Sequence, residues 1–170
     1  MQLRTARTAD ALEVARLHVR AWQAAYRGLL FDDYLDTLVA EEWAERYTFA
    51  DLEPDRPSTV VALERDAICG FATIGPCADE DRAGAGAGEL MALYVDPARQ
   101  GLGVGRALIE EARARLERLG YEQACLWVLA GNTRAERFYR IDGWSADGHR
   151  RPAKIAGISV EDLRYSRALR

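Results

Sequence analysis

Leu90-Met91-Ala92-Leu93-Tyr94-Val95-Asp96-Pro97-Ala98-Arg99-Gln100-Gly101-Leu102-Gly103-Val104-Gly105 is the stretch that decides the fold of this chain. Residues 90–95 are apolar almost throughout, as expected of a central strand buried on both faces. Asp96-Pro97 ends it, because proline has no N–H to give to a ladder. The glycine-rich turn then opens a helix over about 104–119, with Leu108, Ala112, Leu116 and Leu119 on one face and Gly120 as its stop. Strand, turn and helix in this order aim several backbone N–H groups at one point at a helix N-terminus, which attracts phosphate. Glycine lets the backbone approach closely, and Arg99 and Arg106 can add charge-assisted contacts. Two other phosphate loops are excluded: position 106 is Arg where a dinucleotide fingerprint needs Gly, and there is no Gly-Lys-Ser/Thr.

Outward from this segment, residues 3–5 read as a first strand and Thr8-Ala9-Asp10 as the start of a helix reaching about Tyr26. Gly28 breaks that helix, and further helical stretches begin at Asp32 and run over 41–49. Beyond Pro54 and Pro57, residues 58–63 and 68–74 form an antiparallel hairpin. Residues 79–88, rich in Gly and Ala, read as a flexible loop rather than a phosphate cradle. A strand over 125–129, a helix over 132–140 and closing strands at Gly143-Trp144 and 158–165 complete the chain. The order predicts an α/β fold with a mixed sheet, and the lack of repeats or linkers predicts one domain over residues 1–170.

Composition narrows the function. At 170 residues, 49% hydrophobic and 29% charged, the chain is in the range of ordinary globular domains. No apolar run approaches the roughly 20 residues of a membrane span, and the N-terminus lacks the apolar region of a cleaved signal, so a cytoplasmic protein without membrane contact is expected. Net charge of −4 argues against a nucleic-acid footprint. Cys69, Cys77 and Cys125 are odd in number and show no CxxC spacing, and the two histidines are far apart. Free thiols and no metal are the expectation.

Gln100-x-x-Gly103-x-Gly105 resembles the pyrophosphate signature of the GNAT N-acetyltransferase superfamily. Leu93-Tyr94-Val95-Asp96-Pro97 before it, Ala107-Leu108 after it, and Gly131-Asn132-Thr133-Arg134-Ala135-Glu136-Arg137-Phe138-Tyr139-Arg140 with Gly143-Trp144 resemble that family's motifs in their usual order. The match covers residues 88–144. Earlier, His18-Val19-Arg20-Ala21-Trp22 and Ala25-Tyr26-Arg27-Gly28-Leu29-Leu30 resemble a bacterial branch. The resemblance implies a mostly antiparallel mixed sheet, flanked by helices and splayed between the strands at 90–95 and 125–128 to admit acetyl-CoA. The backbone of Leu93, Tyr94 and Val95 would pair with pantetheine, Gln100, Gly101, Leu102, Gly103, Val104, Gly105 and Arg106 would hold the pyrophosphate, and Asn132 would touch the coenzyme, cap a helix, or do both.

Transfer of an acyl group from a thioester to an amine requires a base, an oxyanion donor and an acid for the departing thiolate. Tyr139, where the family places a tyrosine beside the coenzyme sulfur, is the expected acid. Glu89 is the candidate base, since strand alternation would put it on one face with Met91, Leu93 and Val95 unless a bulge intervenes. A backbone N–H near Leu93 would meet the oxyanion. His18 reads as structural and His149 as exposed beside Arg150 and Arg151 in a loop, while Trp22, Tyr26, Tyr34 and Trp43 read mainly as packing and otherwise as an aromatic wall for a cation. The expected activity is acetylation of a small-molecule primary amine, with transfer to a protein or peptide, or a non-catalytic acyl-CoA sensor, as alternatives. A homodimer joined through the strand at 160–165 is the possible assembly.

Overall fold

The computed structural model describes residues 1–47, 49, 51–82 and 86–169. In chain order these are β1 (Gln2–Thr5), a 3₁₀ turn (Thr8–Asp10), α1 (Ala11–Tyr26), α2 (Asp32–Asp36), α3 (Ala40–Ala44), β2 (Ser58–Glu64) and β3 (Ala67–Pro76). There follow β4 (Ala87–Val95), a 3₁₀ turn (Pro97–Arg99), α4 (Val104–Arg118), β5 (Gln123–Leu129), α5 (Thr133–Ile141), β6 (Ser145–Ile155) and β7 (Ile158–Ala168). One sheet runs β1-β2-β3-β4-β5-β7-β6, antiparallel at every step except β4 with β5. The α/β class and the mixed, mostly antiparallel sheet are as the sequence predicts.

Both sheet faces are covered. Leu108, Ile109, Ala112 and Leu116 of α4 pack on Val60, Ala72, Ile74, Leu90 and Leu126. Val14 and Leu17 of α1 pack on Val61, Leu63, Ile68 and Phe71 of the other face. The parallel β4-β5 step requires a crossover, and α4 supplies it. It lies so close to the sheet that a Cβ on Gly88 would come within 2.5 Å of Leu116. That close approach explains a strand in a glycine-rich segment: Ala87 and Gly88 belong to β4, not to a loop. The middle of the expected loop, residues 83–85, lies outside the described residues.

The splay has a local cause. β4 and β5 pair at only three positions, Ala87 with Gln123, Gly88 with Ala124 and Glu89 with Cys125. On the other side of β4, Thr73 faces Ala92 while Ile74 faces Leu90, so Met91 is an extra residue. Such a bulge bends its strand. From Leu90 onward β4 keeps only β3, and its other edge opens toward a gap below β5.

Four further expectations are corrected. The third helix is one short segment, Ala40–Ala44, instead of 41–49, with Thr48 outside the described residues. His149, Arg150 and Arg151 belong to β6 rather than a loop, because Arg150 pairs with Glu161 at 2.6 Å and Arg151 with Asp162 at 3.2 Å across to β7. Gly143-Trp144 precedes β6, and Trp144 is buried in the core. β7 lies between β5 and β6, so residues 160–165 have no edge to offer a second copy; the free edge on that side is β6.

His18 is structural, as expected. Its ring lies 4.3 Å from that of Tyr94 and 4.6 Å from that of Trp43, and Nδ1 meets the Tyr47 hydroxyl at 2.5 Å. Burial holds its pKa down to about 3. The unfolded chain therefore binds a proton near pH 6.5 that the folded chain refuses, and stability falls as pH drops from about 6.5 toward about 3. We predict a loss of about 2 kcal/mol between pH 8 and pH 5 in urea unfolding, absent from His18→Phe. Equal slopes for the two proteins would remove His18 from the acid response.

Candidate active site

The gap between β4 and β5 is a cleft of about 350 Å³. Its walls are β4 from Leu90 to Val95, Trp127 and Val128 of β5, and Asn132, Ala135, Phe138 and Tyr139 at and along α5. Tyr26 closes it from α1, and Gln100, Gly101, Gly103, Gly105 and Arg106 form its mouth.

The mouth is shaped by backbone. Gly101 and Gly103 sit at φ +80° and +87°, the left-handed region where a side chain is strained, and a Cβ at either would point into open space. The first rung of the α4 ladder is the Ala107 N–H donating to the Gly103 carbonyl at 3.1 Å. The N–H groups of Val104, Gly105 and Arg106 precede that ladder and face outward along the helix axis. The Gln100 amide donates to the Val95 carbonyl at 3.4 Å, bracing turn against strand. A phosphate therefore finds bare N–H groups, no Cβ in the way and the positive end of a 15-residue helix.

The remaining expected contacts divide. Leu93, Tyr94 and Val95 line the cleft, with the β4 edge unpaired by β5 at those positions. Leu102 points into solvent, and Val104 packs in the core, so these two present backbone only. Gly105 lies against the Phe138 ring. The Arg106 side chain is exposed and paired with Glu110 at 2.8 Å, and Arg99 is paired with Glu64 at 2.7 Å. Asn132 caps α5, accepting from the Ala135 N–H at 3.2 Å, and also lines the cleft.

Tyr139 projects from α5 into the cleft. Burial, with the Tyr94 phenol adding, raises its pKa, so the hydroxyl keeps its proton across the working range. Tyr26, expected mainly as packing and otherwise as part of an aromatic wall, lines the cleft, its hydroxyl 3.4 Å from that of Tyr94, to which Trp22 Nε1 donates at 3.0 Å. His18, Trp22 and Tyr26 recur every four residues along α1, and that period is the signal that could have placed Tyr26 beside the strand. Trp127 also lines the cleft, a position that its place in an apolar strand does not signal. Its Nε1 donates to Asp79 at 3.2 Å, and the Arg151 guanidinium covers its ring at 4.3 Å.

Glu89 is not on the face with Leu93 and Val95. The Met91 bulge resets the alternation, so Glu89 shares its face with Ala92 and Tyr94. It sits opposite Cys125, two residues before Trp127 and thus about 7 Å short of the cleft wall along β5. Burial lifts its carboxyl above the ordinary glutamate value, the Asp79 charge adding to this and Arg151 opposing it.

A strand edge open to pairing, a helix N-terminus at the mouth and a protonated phenol inside one cleft suit a ligand that carries phosphate at one end and can pair with a strand along its length. Residues 13–144 match the model of the Acetyltransferase (GNAT) family. An uncharacterized N-acetyltransferase, YuaI, of Bacillus subtilis is 30% identical over 130 residues, 76% of this chain and 72% of that protein. A mycothiol acetyltransferase of Geodermatophilus obscurus is 35% identical over 106 residues; the match covers 60% of this chain and 34% of that longer protein. Among solved structures, the PaiA N-acetyltransferase of Thermoplasma acidophilum, in complex with coenzyme A, shares the fold at a TM-score of 0.75 and 17% identity, covering 98% of each chain. The chain belongs to the GNAT family and is an acetyl-CoA-dependent acetyltransferase.

Proposed function

We propose that the chain, acting as one domain, acetylates the primary amine of a small molecule. The observation that carries the choice of acceptor is a contact between two turns next to the cleft-lining Tyr26 and Asn132. There Leu29, in the turn after α1, reaches across to the turn after β5, within 3.2 Å of where a Cβ of Gly131 would stand. A polypeptide acceptor needs a trough open at both ends, and a contact between these two turns favours a smaller acceptor. The likeness to a mycothiol acetyltransferase supports a small acceptor as well.

Acetyl-CoA supplies an acetyl thioester, activated for attack by an amine. The Leu93 and Val95 backbone on the free edge of β4 holds the pantetheine arm, and the N–H groups between Gly101 and Arg106 hold the diphosphate. A backbone N–H near Leu93 meets the oxyanion. Tyr139 donates its phenolic proton toward the sulfur as that atom gains charge. Glu89, behind Trp127, receives the amine proton through water, its raised pKa bringing it closer to neutral pH. No metal takes part.

Thiol release from acetyl-CoA against a panel of small amines and N-terminal peptides tests the assignment. Turnover with amines and none with peptides is expected, and the reverse would overturn the choice of acceptor. Because Glu89 must be ionised to act, kcat/KM should rise with pH along a limb placed above the ordinary glutamate value. Glu89→Gln should abolish that limb and lower the plateau by about 10²-fold. An unchanged profile would leave the proton to another group.

A further inference from the structure

Cys77 follows β3 and Cys125 lies on β5, 48 residues apart, with β4 between them. The fold brings their sulfurs to 2.9 Å, and the Glu89 carboxylate, between the two strands, completes a set whose donor atoms all lie within 4.8 Å of one another. Both sulfurs are buried, Cys125 at 0% and Cys77 at 7% exposure. Spacing along the chain excluded such a site, and sheet register creates it.

We infer that Cys77, Cys125 and Glu89 form a site for a thiophilic divalent cation, zinc being the type. Two thiolates and a carboxylate are a soft, anionic donor set that suits zinc or cadmium better than magnesium or calcium. The Asp79 carboxylate faces all three groups and strengthens the negative field, while Arg151 opposes it at Glu89. Asp79 itself is held by Trp127 and Arg164, so three protein ligands leave one position of a tetrahedron to water. With metal to sulfur bonds of about 2.3 Å, the sulfurs would part to about 3.8 Å, a shift of under about 1 Å. As the two sulfur to metal bonds form, the two thiol protons leave to solvent. The ion has no place in acetyl transfer. It would instead hold Glu89 in place, and by the base assignment above, on which this last consequence rests, an occupied site slows the enzyme.

Titration of the reduced full-length chain with cadmium, followed by the ultraviolet thiolate-to-metal absorption, reads the site without any turnover. The expected result is one ion per chain, the same band in Cys69→Ser, no band in Cys77→Ser or Cys77→Ala, at least tenfold weaker binding in Glu89→Gln, and displacement by zinc. No band in the wild type, or a band that survives in both Cys77 variants, would overturn the site. So would thiol counting that finds Cys77 and Cys125 joined as a disulfide in the protein as purified. Zinc that binds with this signature yet leaves the acetylation rate unchanged would keep the site and remove Glu89 from the chemistry.

Discussion

Arg164→Met is expected to cost about 3–5 kcal/mol of stability, the largest loss for any single substitution considered. Arg164 is 1% exposed and donates to three carboxylates: to Asp79 at 3.0 Å, to Asp81 twice at 2.7 Å and to Asp147 at 2.8 Å. Burial alone would push the Asp147 carboxyl up, but the Ser166 hydroxyl, the His149 N–H and Arg164 together hold it down to about 2. Removing the guanidinium leaves Asp79 and Asp147, 18% and 17% exposed, and the more exposed Asp81 as like charges facing one another, with Arg82 the cation that remains at Asp147 and Asp81. Methionine fills much of the volume, so the cost is electrostatic rather than a cavity. Urea unfolding at pH 7 measures it. Lowering the pH toward 3 should narrow the gap between the two proteins, since protonated carboxyls no longer repel. A loss under about 1 kcal/mol at pH 7 would show that water or other groups already satisfy the three acids. The variant should also disturb the cleft, because Asp79 is the acceptor for Trp127 Nε1.

Tyr139→Phe should lower kcat by about 10²- to 10³-fold, or roughly 3–4 kcal/mol of barrier. The ring stays, so its packing against Phe138, at 5.3 Å between centroids, survives and the fold is retained. In the proposed reaction the hydroxyl acts at the step where the sulfur departs. The proposed donor contacts, the β4 edge and the α4 N-terminus, are not touched by this change. The KM for acetyl-CoA should therefore stay within about threefold while kcat and kcat/KM fall together, the signature of an interaction made in the transition state. An unchanged kcat would give Tyr139 a packing role only. A raised KM at constant kcat would assign it to donor binding.

The legible and illegible parts of this protein divide along a physical line. The apolar run of residues 90–95, the glycines at 101 and 103 and the face of α4 carry local signals, and strand, turn and helix stand where those signals put them. The start of β4 is different. Nothing in Ala87-Gly88 favours a strand locally; Leu116 of α4 and Tyr121 just beyond it crowd Gly88, and tertiary packing decides. The face that Glu89 takes depends on one extra residue opposite β3, a property of pairing rather than of β4 itself. Residues 149–151 read as a loop and belong to a strand, where Arg150 and Arg151 meet acids on β7. Cys77 and Cys125 show the same effect at a distance of 48 residues. At the site, the mouth was readable because backbone conformation demands glycine. The inner wall, Tyr26 and Trp127 above all, was not, because aromatic residues in a helix or strand look alike whether they face a core or a cleft.

Everything proposed for this enzyme rests on the donor lying in the β4-β5 splay with its diphosphate on the bare N–H groups between Gly101 and Arg106. Gly103 is the sharpest probe, since its φ of +87° strains a β-branched residue and its absent Cβ would point into open space. Calorimetric titration of coenzyme A into the wild type and Gly103→Val, with far-ultraviolet circular dichroism to confirm that both are folded, measures the claim directly. One site is expected in the wild type and at least tenfold weaker binding in the variant. Equal affinity in two folded proteins would contradict the claim.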